Sequence, residues 1–169
     1  LDQNFPVQTQ STLWPEDLKL SRLDEIDPSL THDTEDWEIL LELEHRGFDG
    51  FITNDTRILR SPREMVALSA TGLTFVATDG VGGNPLKANG LLQVHLEDIV
   101  RDTAVRPMTY RLLPTSKSAM SASKRLADVA AKRNEPLGEL RRREAAAIHT
   151  IVADTRPHLL GLLARRGSI

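Results

Sequence analysis

Three aspartates, Asp2, Asp36 and Asp55, stand where a divalent cation could draw carboxylates together. Asp55 closes the stretch Gly50-Phe51-Ile52-Thr53-Asn54-Asp55, in which a short apolar run of β-formers ends in a threonine, an amide and a carboxylate. In a parallel α/β sheet, ligands bind beyond the carboxyl ends of the strands, and a strand ending here delivers Asp55 to that edge. Asp2 sits in Leu1-Asp2-Gln3-Asn4-Phe5-Pro6, where an apolar residue precedes the acid and a proline soon stops any strand. Asp36 falls in the first turn of a helix that precedes the Asp55 strand. Converging carboxylates repel one another by several kcal/mol at low effective dielectric, so such a cluster persists mainly around a divalent cation. With no cysteine and no histidine pair at ligand spacing, all-oxygen ligation favours Mg²⁺ or Mn²⁺ over Zn²⁺. Each acid also has a plainer role open to it. Asp36 can favour the helix dipole or share a cap with Asp33, an effect of about 0.3 to 1 kcal/mol. Asp55 can bond its own backbone in a turn, and Asp2 can be a loose terminus.

Cations accompany these acids. Arg57, Arg60 and Arg63 follow Asp55 by two, five and eight residues, spacing that suits a substrate phosphate at the mouth of a site or simply a solvated helix start. Over the whole chain the formal net charge is only -3, yet residues 1–100 hold 7 Lys and Arg against 18 Asp and Glu, while residues 101–169 hold 14 against 6. A carboxylate-dense half followed by a basic half fits a cation site beside a surface that attracts polyanions, or two halves that pair with each other. Lys124, Arg125, Lys132, Arg133 and Arg141 to Arg143 can track a nucleic-acid backbone, but no interleaved aromatics offer a stacking platform. Gly80, Gly82, Gly83 and Lys87 lack the order of a phosphate-binding P-loop. Among five histidines, only His32 lies beside the acidic helix start.

The elements that must position these groups follow from periodicity and punctuation. A helix with Trp37, Leu40, Leu41 and Glu44 at helical spacing is expected to be capped by Asp33 or Thr34 and closed by Gly47. The strand ending at Thr53 follows, then a helix opened by the capping box Ser61-Pro62-Arg63-Glu64 and closed by Gly72, then a strand over 73–78. Helix, strand, helix, strand implies a crossover connection and a parallel sheet. Residues 79–90 are predicted as a glycine-rich loop, Leu91 to about Arg101 as a helix, and Met108 to Leu113 as a further strand at the sheet's edge. From Ser121 an alanine- and arginine-rich segment is expected to form two or three helices, with Pro136 and Pro157 starting new ones. Its apolar stripes, such as Leu126 with Val129 and Ala130, must be buried on the chain's own domain, a second copy or a partner protein.

"LDQNFP" followed by "DTEDWEILLELEHRGFDGFITND" resembles the PIN-domain superfamily, especially its small PIN-like members. Those carry a similar opening, an acid before "EIL" on a helix, and a strand ending in "T.D". Leu1 to Pro6, Asp36 with Glu38-Ile39-Leu40, and Thr53-Asn54-Asp55 match that pattern in order over about residues 1–115. The resemblance implies a Rossmann-like α/β/α sandwich with a mostly parallel central sheet over 1–115, and leaves a helical extension over 116–169. It further implies a Mg²⁺/Mn²⁺-dependent endoribonuclease, as in the toxins of VapBC toxin–antitoxin pairs, with an antitoxin protein as partner. Asp2, Asp36 and Asp55 would be metal ligands, and Thr53 the hydroxyl that accompanies the last acid. The fourth acid common in that family has no clean match, leaving Asp33, Glu35 and Asp79 as candidates. The residues that precede the family's opening and build its central strand also lie before Leu1.

With 169 residues, 40% hydrophobic and 27% charged, the chain can bury a core, and no apolar run approaches the roughly 20 residues of a membrane helix. The lack of cysteine suits a reducing cytoplasm, and nothing reads as a signal peptide, although the chain begins at Leu1 rather than a methionine. The activity that the resemblance implies is cleavage of RNA. A PIN-like interaction module without hydrolysis is the alternative, and an unrelated enzyme of small phosphorylated molecules would need a deep pocket.

Overall fold

The computed structural model describes residues 18–31, 33–81, 84–102 and 106–165. Asp2, His32, Gly82 and Gly83 fall outside them. In chain order the elements are α1 (Leu23–Ile26), α2 (Asp36–His45), β1 (Gly50–Thr53), α3 (Pro62–Ser69), β2 (Thr74–Thr78), α4 (Pro85–Arg101), β3 (Met108–Leu113), β4 (Ser116–Ser121), α5 (Ala122–Lys132), α6 (Leu137–Thr155) and α7 (Leu160–Arg165). The fold is α/β. Its four-stranded sheet runs β1-β2-β3-β4, with the first three strands parallel and β4 antiparallel to β3. No helix among the described residues is long and apolar enough to cross a membrane.

Strand pairing sorts side chains onto two faces, because the period of a strand is two. Phe51, Phe75 and Thr109 stand in one row, and Thr53, Ala77 and Arg111 in the next row of the same face. Most of this face packs into the larger core cluster, which joins Trp37, Leu40, Met65, Leu68, Leu126, Ile148 and Val152. Ile52, Val76, Tyr110 and Leu112 alternate with them and pack on the opposite face against Leu92, Leu96 and Ile99 of α4. Helices therefore cover both faces, as parallel strands require. The C-terminal helices bury their stripes on the chain itself: Leu126, Leu140, Ile148, Val152 and Leu159 share a cluster with α2 and α3.

Several expected boundaries move, each for a local reason. The α2 helix starts one step later than Asp33 or Thr34 would place it. Glu35 is its N-cap, and the Glu38 carboxylate accepts the Glu35 amide at 3.0 Å, a reciprocal box built from two glutamates. Its far end is as expected. Gly47 has φ +79°, its amide donates to the Glu44 carbonyl at 3.1 Å, and the Phe48 amide reaches back to the Leu43 carbonyl at 3.0 Å. In α3, Ser61 makes no backbone cap; its hydroxyl meets the Glu64 carboxylate, and the helix ends at Ser69, before Gly72. The loop expected over 79–90 is shorter, because Asn84 accepts the Lys87 amide at 3.1 Å and Pro85 takes the first helical position. Gly90 thus lies inside a helix, and Lys87 is a helical residue rather than part of a loop. Finally, β3 is not at the edge. Ser116–Ser121, expected within the helical extension, forms β4 beside it.

Candidate functional site

β1 and β2 end side by side. Thr53 pairs with Ala77, and two residues further along each strand comes an aspartate, Asp55 and Asp79. Both acids thus leave the sheet at the carboxyl edge of its parallel part, where an α/β ligand site is expected. Asp55 is held by its own neighbourhood. The buried Thr53 hydroxyl accepts the Asp55 amide at 2.9 Å, which fixes the turn out of the strand. One Asp55 oxygen accepts the Arg57 amide at 2.8 Å, and the carboxylate also receives the Arg57 guanidinium at 2.5 to 3.0 Å. The plainer turn role of Asp55 is therefore real, and it coexists with placement at the edge. The hydrogen bonds from Arg57 hold the Asp55 pKa below the ordinary aspartate value, against an opposing effect of burial.

Asp36 occupies the first position of α2, the plainer location foreseen for it. It also reaches the same ion pair through space. The Arg57 pKa is raised chiefly by its hydrogen bonds to Asp55 and, in addition, by the charge of Asp36. Arg57 is thus bonded to Asp55 and within electrostatic reach of Asp36. Glu64, on the first turn of α3, is the nearby acid that sequence reading passed over. Burial pushes its pKa up, and the charges of Asp36 and Glu35 add to the effect. Glu64 was readable only as half of a capping box, so its place beside Asp36 had no signal in the spacing.

Asp79 forms the second acid–arginine pair of the edge. Its carboxylate accepts from the Arg111 guanidinium, and its pKa is lowered first by that bond and also by the Gly80 amide and the charge of Arg60. Of the three arginines expected at the mouth, Arg57 and Arg60 act on edge acids, whereas Arg63 is bonded at 3.3 Å to Glu144 of α6. Asp33 and Glu35, the other candidates for a fourth acid, are both exposed; Asp33 sits at φ +55° and Glu35 caps the helix. Among the described residues no group of three or more carboxylates and histidines is arranged to hold a metal ion. Of the three expected ligands, Asp36 and Asp55 are among the described residues and Asp2 is not.

A cleft of about 580 Å³ opens elsewhere, between Leu18, Leu20, Ile52, Leu96 and Ile99, and reaches Gly47 to Gly50 and Arg106. Those residues mark the amino ends of the strands, and neither Asp55 nor Asp79 lines the cleft. Away from the edge, Glu42 of α2 is only 2% exposed and accepts Arg156 at 2.9 Å and His158 at 2.8 Å, with Arg46 at 3.4 Å. Arg156 also lies 3.5 Å from Glu38. The acidic and basic halves of the chain therefore meet here as well. Comparison of the chain with family models, with curated proteins and with solved structures returns no match.

Proposed function

We propose that this chain is a divalent-metal-dependent endoribonuclease of PIN-like type, with its site at the carboxyl edge of β1 and β2. The observation that carries the proposal is Asp55, beside Asp79, at the carboxyl edge of the parallel strands where α/β folds bind ligands, bonded to an exposed arginine that also feels the charge of Asp36. Asp36, Asp55 and Asp2 are the proposed ligands of Mg²⁺ or Mn²⁺, and Glu64, which feels the charge of Asp36, is a candidate for a further acid. Such an ion, when bound, activates water and neutralises charge on phosphoryl oxygens. The protein's own share is positioning. Thr53 fixes the turn that aims Asp55, α2 fixes Asp36 at its first position, and Arg57 and Arg60 offer guanidinium groups to the substrate's phosphates. A toxin-type role with an antitoxin partner is part of this reading.

The second reading is an RNA- or protein-binding module without hydrolysis. It is favoured by the pairing of Asp55 with Arg57 and of Asp79 with Arg111, which neutralises both edge acids without any ion. Incubation with single-stranded RNA, with Mn²⁺ or with EDTA, separates the two. The nuclease reading expects cleavage that EDTA abolishes and that Asp55→Asn lowers by roughly 100-fold or more, as expected when a metal-site group is lost. RNA left intact by the wild-type protein with Mn²⁺ sinks it in favour of the module.

A further inference from the structure

Beyond the Asp36–Asp55 edge, the same face of the sheet carries two neighbouring cations, of which one is paired with an edge acid and the other is not. Arg111, in the cross-strand row of Thr53 and Ala77, shares Asp79 with Arg60. Next to it, Arg125 projects from α5 and is half-buried. The Arg125 guanidinium donates at 2.7 Å to the Thr109 hydroxyl, which itself donates to the Met120 carbonyl at 2.8 Å. Among the described residues no carboxylate lies within ion-pair distance of Arg125. Asp128, one turn further along α5, acts on it only through space. Burial depresses the Arg125 pKa below the ordinary arginine value, and the charge of Arg111 pushes the same way. A neutral hydroxyl partner, a like-charged neighbour and partial burial are a costly setting for a guanidinium with no anion to receive.

We propose that Arg111 and Arg125 form a seat for a backbone phosphate of single-stranded RNA, beside the phosphate that meets Arg57 and Arg60. This rests on the RNA reading of the edge, but not on hydrolysis. A phosphate oxygen pair matches the fork of a guanidinium, and Thr109 holds Arg125 in one orientation. Arg111 would then exchange part of its bonding from Asp79 to the phosphate, which links occupancy of the seat to the charge of the edge. The strip Arg60, Arg111 and Arg125 carries three cations against Asp79 and the through-space charge of Asp128, so it guides a polyanion towards Asp55 without reading bases.

The test is fluorescence anisotropy of a labelled single-stranded RNA oligonucleotide in EDTA, over a series of salt concentrations, with Arg125→Gln, Arg125→Lys and Arg111→Gln. Losing one phosphate contact lowers the salt slope by about 0.7, which near 0.1 M salt corresponds to about fivefold weaker binding. Arg125→Gln and Arg111→Gln are each expected to show that loss, Arg125→Lys to recover part of it, and inorganic phosphate to compete. Arg111→Gln keeps the experiment decisive if the half-buried Arg125 is needed for folding, since the Arg111 side chain is 38% exposed. Wild-type affinity and slope in both glutamine variants, or no RNA binding by the wild type, overturns the seat. Cleavage with Mn²⁺ is scored separately. Arginine-dependent binding without cleavage leaves the seat standing and removes the nuclease.

Discussion

Replacing Arg156 with alanine isolates the interaction that fastens the C-terminal helices to α2. Glu42 is 2% exposed, and Arg156, His158 and Arg46 are its charged partners. Burial works to raise the Glu42 pKa, but the hydrogen bonds from Arg156 and His158 prevail and the net shift is downwards. Removing one partner of a fully buried ion pair costs about 3–5 kcal/mol, and a hydrogen bond to a charged group about 1.5–3 kcal/mol. Since Arg46 and His158 remain, Arg156→Ala is expected to destabilise by about 2–3 kcal/mol, the upper part of the hydrogen-bond range and no more than the low end of the buried-pair range. For a chain of this length that corresponds to a fall in Tm of roughly 4–12 °C. Urea unfolding followed by circular dichroism reads the change directly. The companion variant is Glu42→Gln, which removes the charge and keeps the shape. It should be destabilising in the native background but close to neutral alongside Arg156→Ala, because the buried charge that needed a counter-ion is gone. A loss below about 0.5 kcal/mol for Arg156→Ala, the level of an ordinary surface substitution, refutes the reasoning, as does strict additivity of the two changes.

Acid unfolding should report the same carboxylate. A group with a depressed folded pKa contributes stability that is present above its unfolded value and lost as pH falls through the folded one, so the Glu42 contribution should begin to fade below the ordinary 4.5. Glu42→Gln should flatten that part of the stability profile. Tyr110 titrates in the opposite direction: burial first, and its hydrogen bond to Asp102, push it up to about 12, so its ultraviolet phenolate transition should fall well above the ordinary 10.0. Two glycines should contrast. A Cβ at Gly50 would lie 2.6 Å from the Thr74 carbonyl oxygen in the neighbouring strand, so Gly50→Ala should cost about 1–3 kcal/mol through overpacking. Gly47 has open space but φ +79°, so Gly47→Ala should cost about 1 kcal/mol, from backbone conformation alone, in the same unfolding assay.

What could be read from the sequence was what local chemistry determines. The Gly47 stop, the strand Gly50–Thr53, the start of α6 after Pro136 and the 3-10 turn Pro157–Leu159 that leads into α7 each depend on residues within a few positions. The parallel pairing of β1, β2 and β3 followed from the order of elements. Ser116–Ser121 was missed because "SKSAMS" has no alternating apolar face; its strand character comes from the partner β3. The start of α4 was missed because Gly90 and Gly80 dominate the composition, while Asn84 and Pro85 set the boundary. At the site, the placement of Asp55 at a sheet edge was legible from its strand. The bonding of Asp55 to Arg57 follows from a turn of two residues, whereas Asp79 with Arg111 spans a separation of 32, which no local pattern announces. Glu64 beside Asp36 depends in the same way on how α3 packs against α2.

The clasp on Glu42 also bears on how the chain matures as it is made. Arg156 follows Glu42 by 114 residues, an interval of about 6–23 s at ordinary rates of translation. During that interval α2 has emerged with Arg46 beside Glu42 but without Arg156 and His158. Its first residue, Asp36, belongs to the proposed site, so the helix that carries it is fully fastened only after Arg156 and His158 have been made.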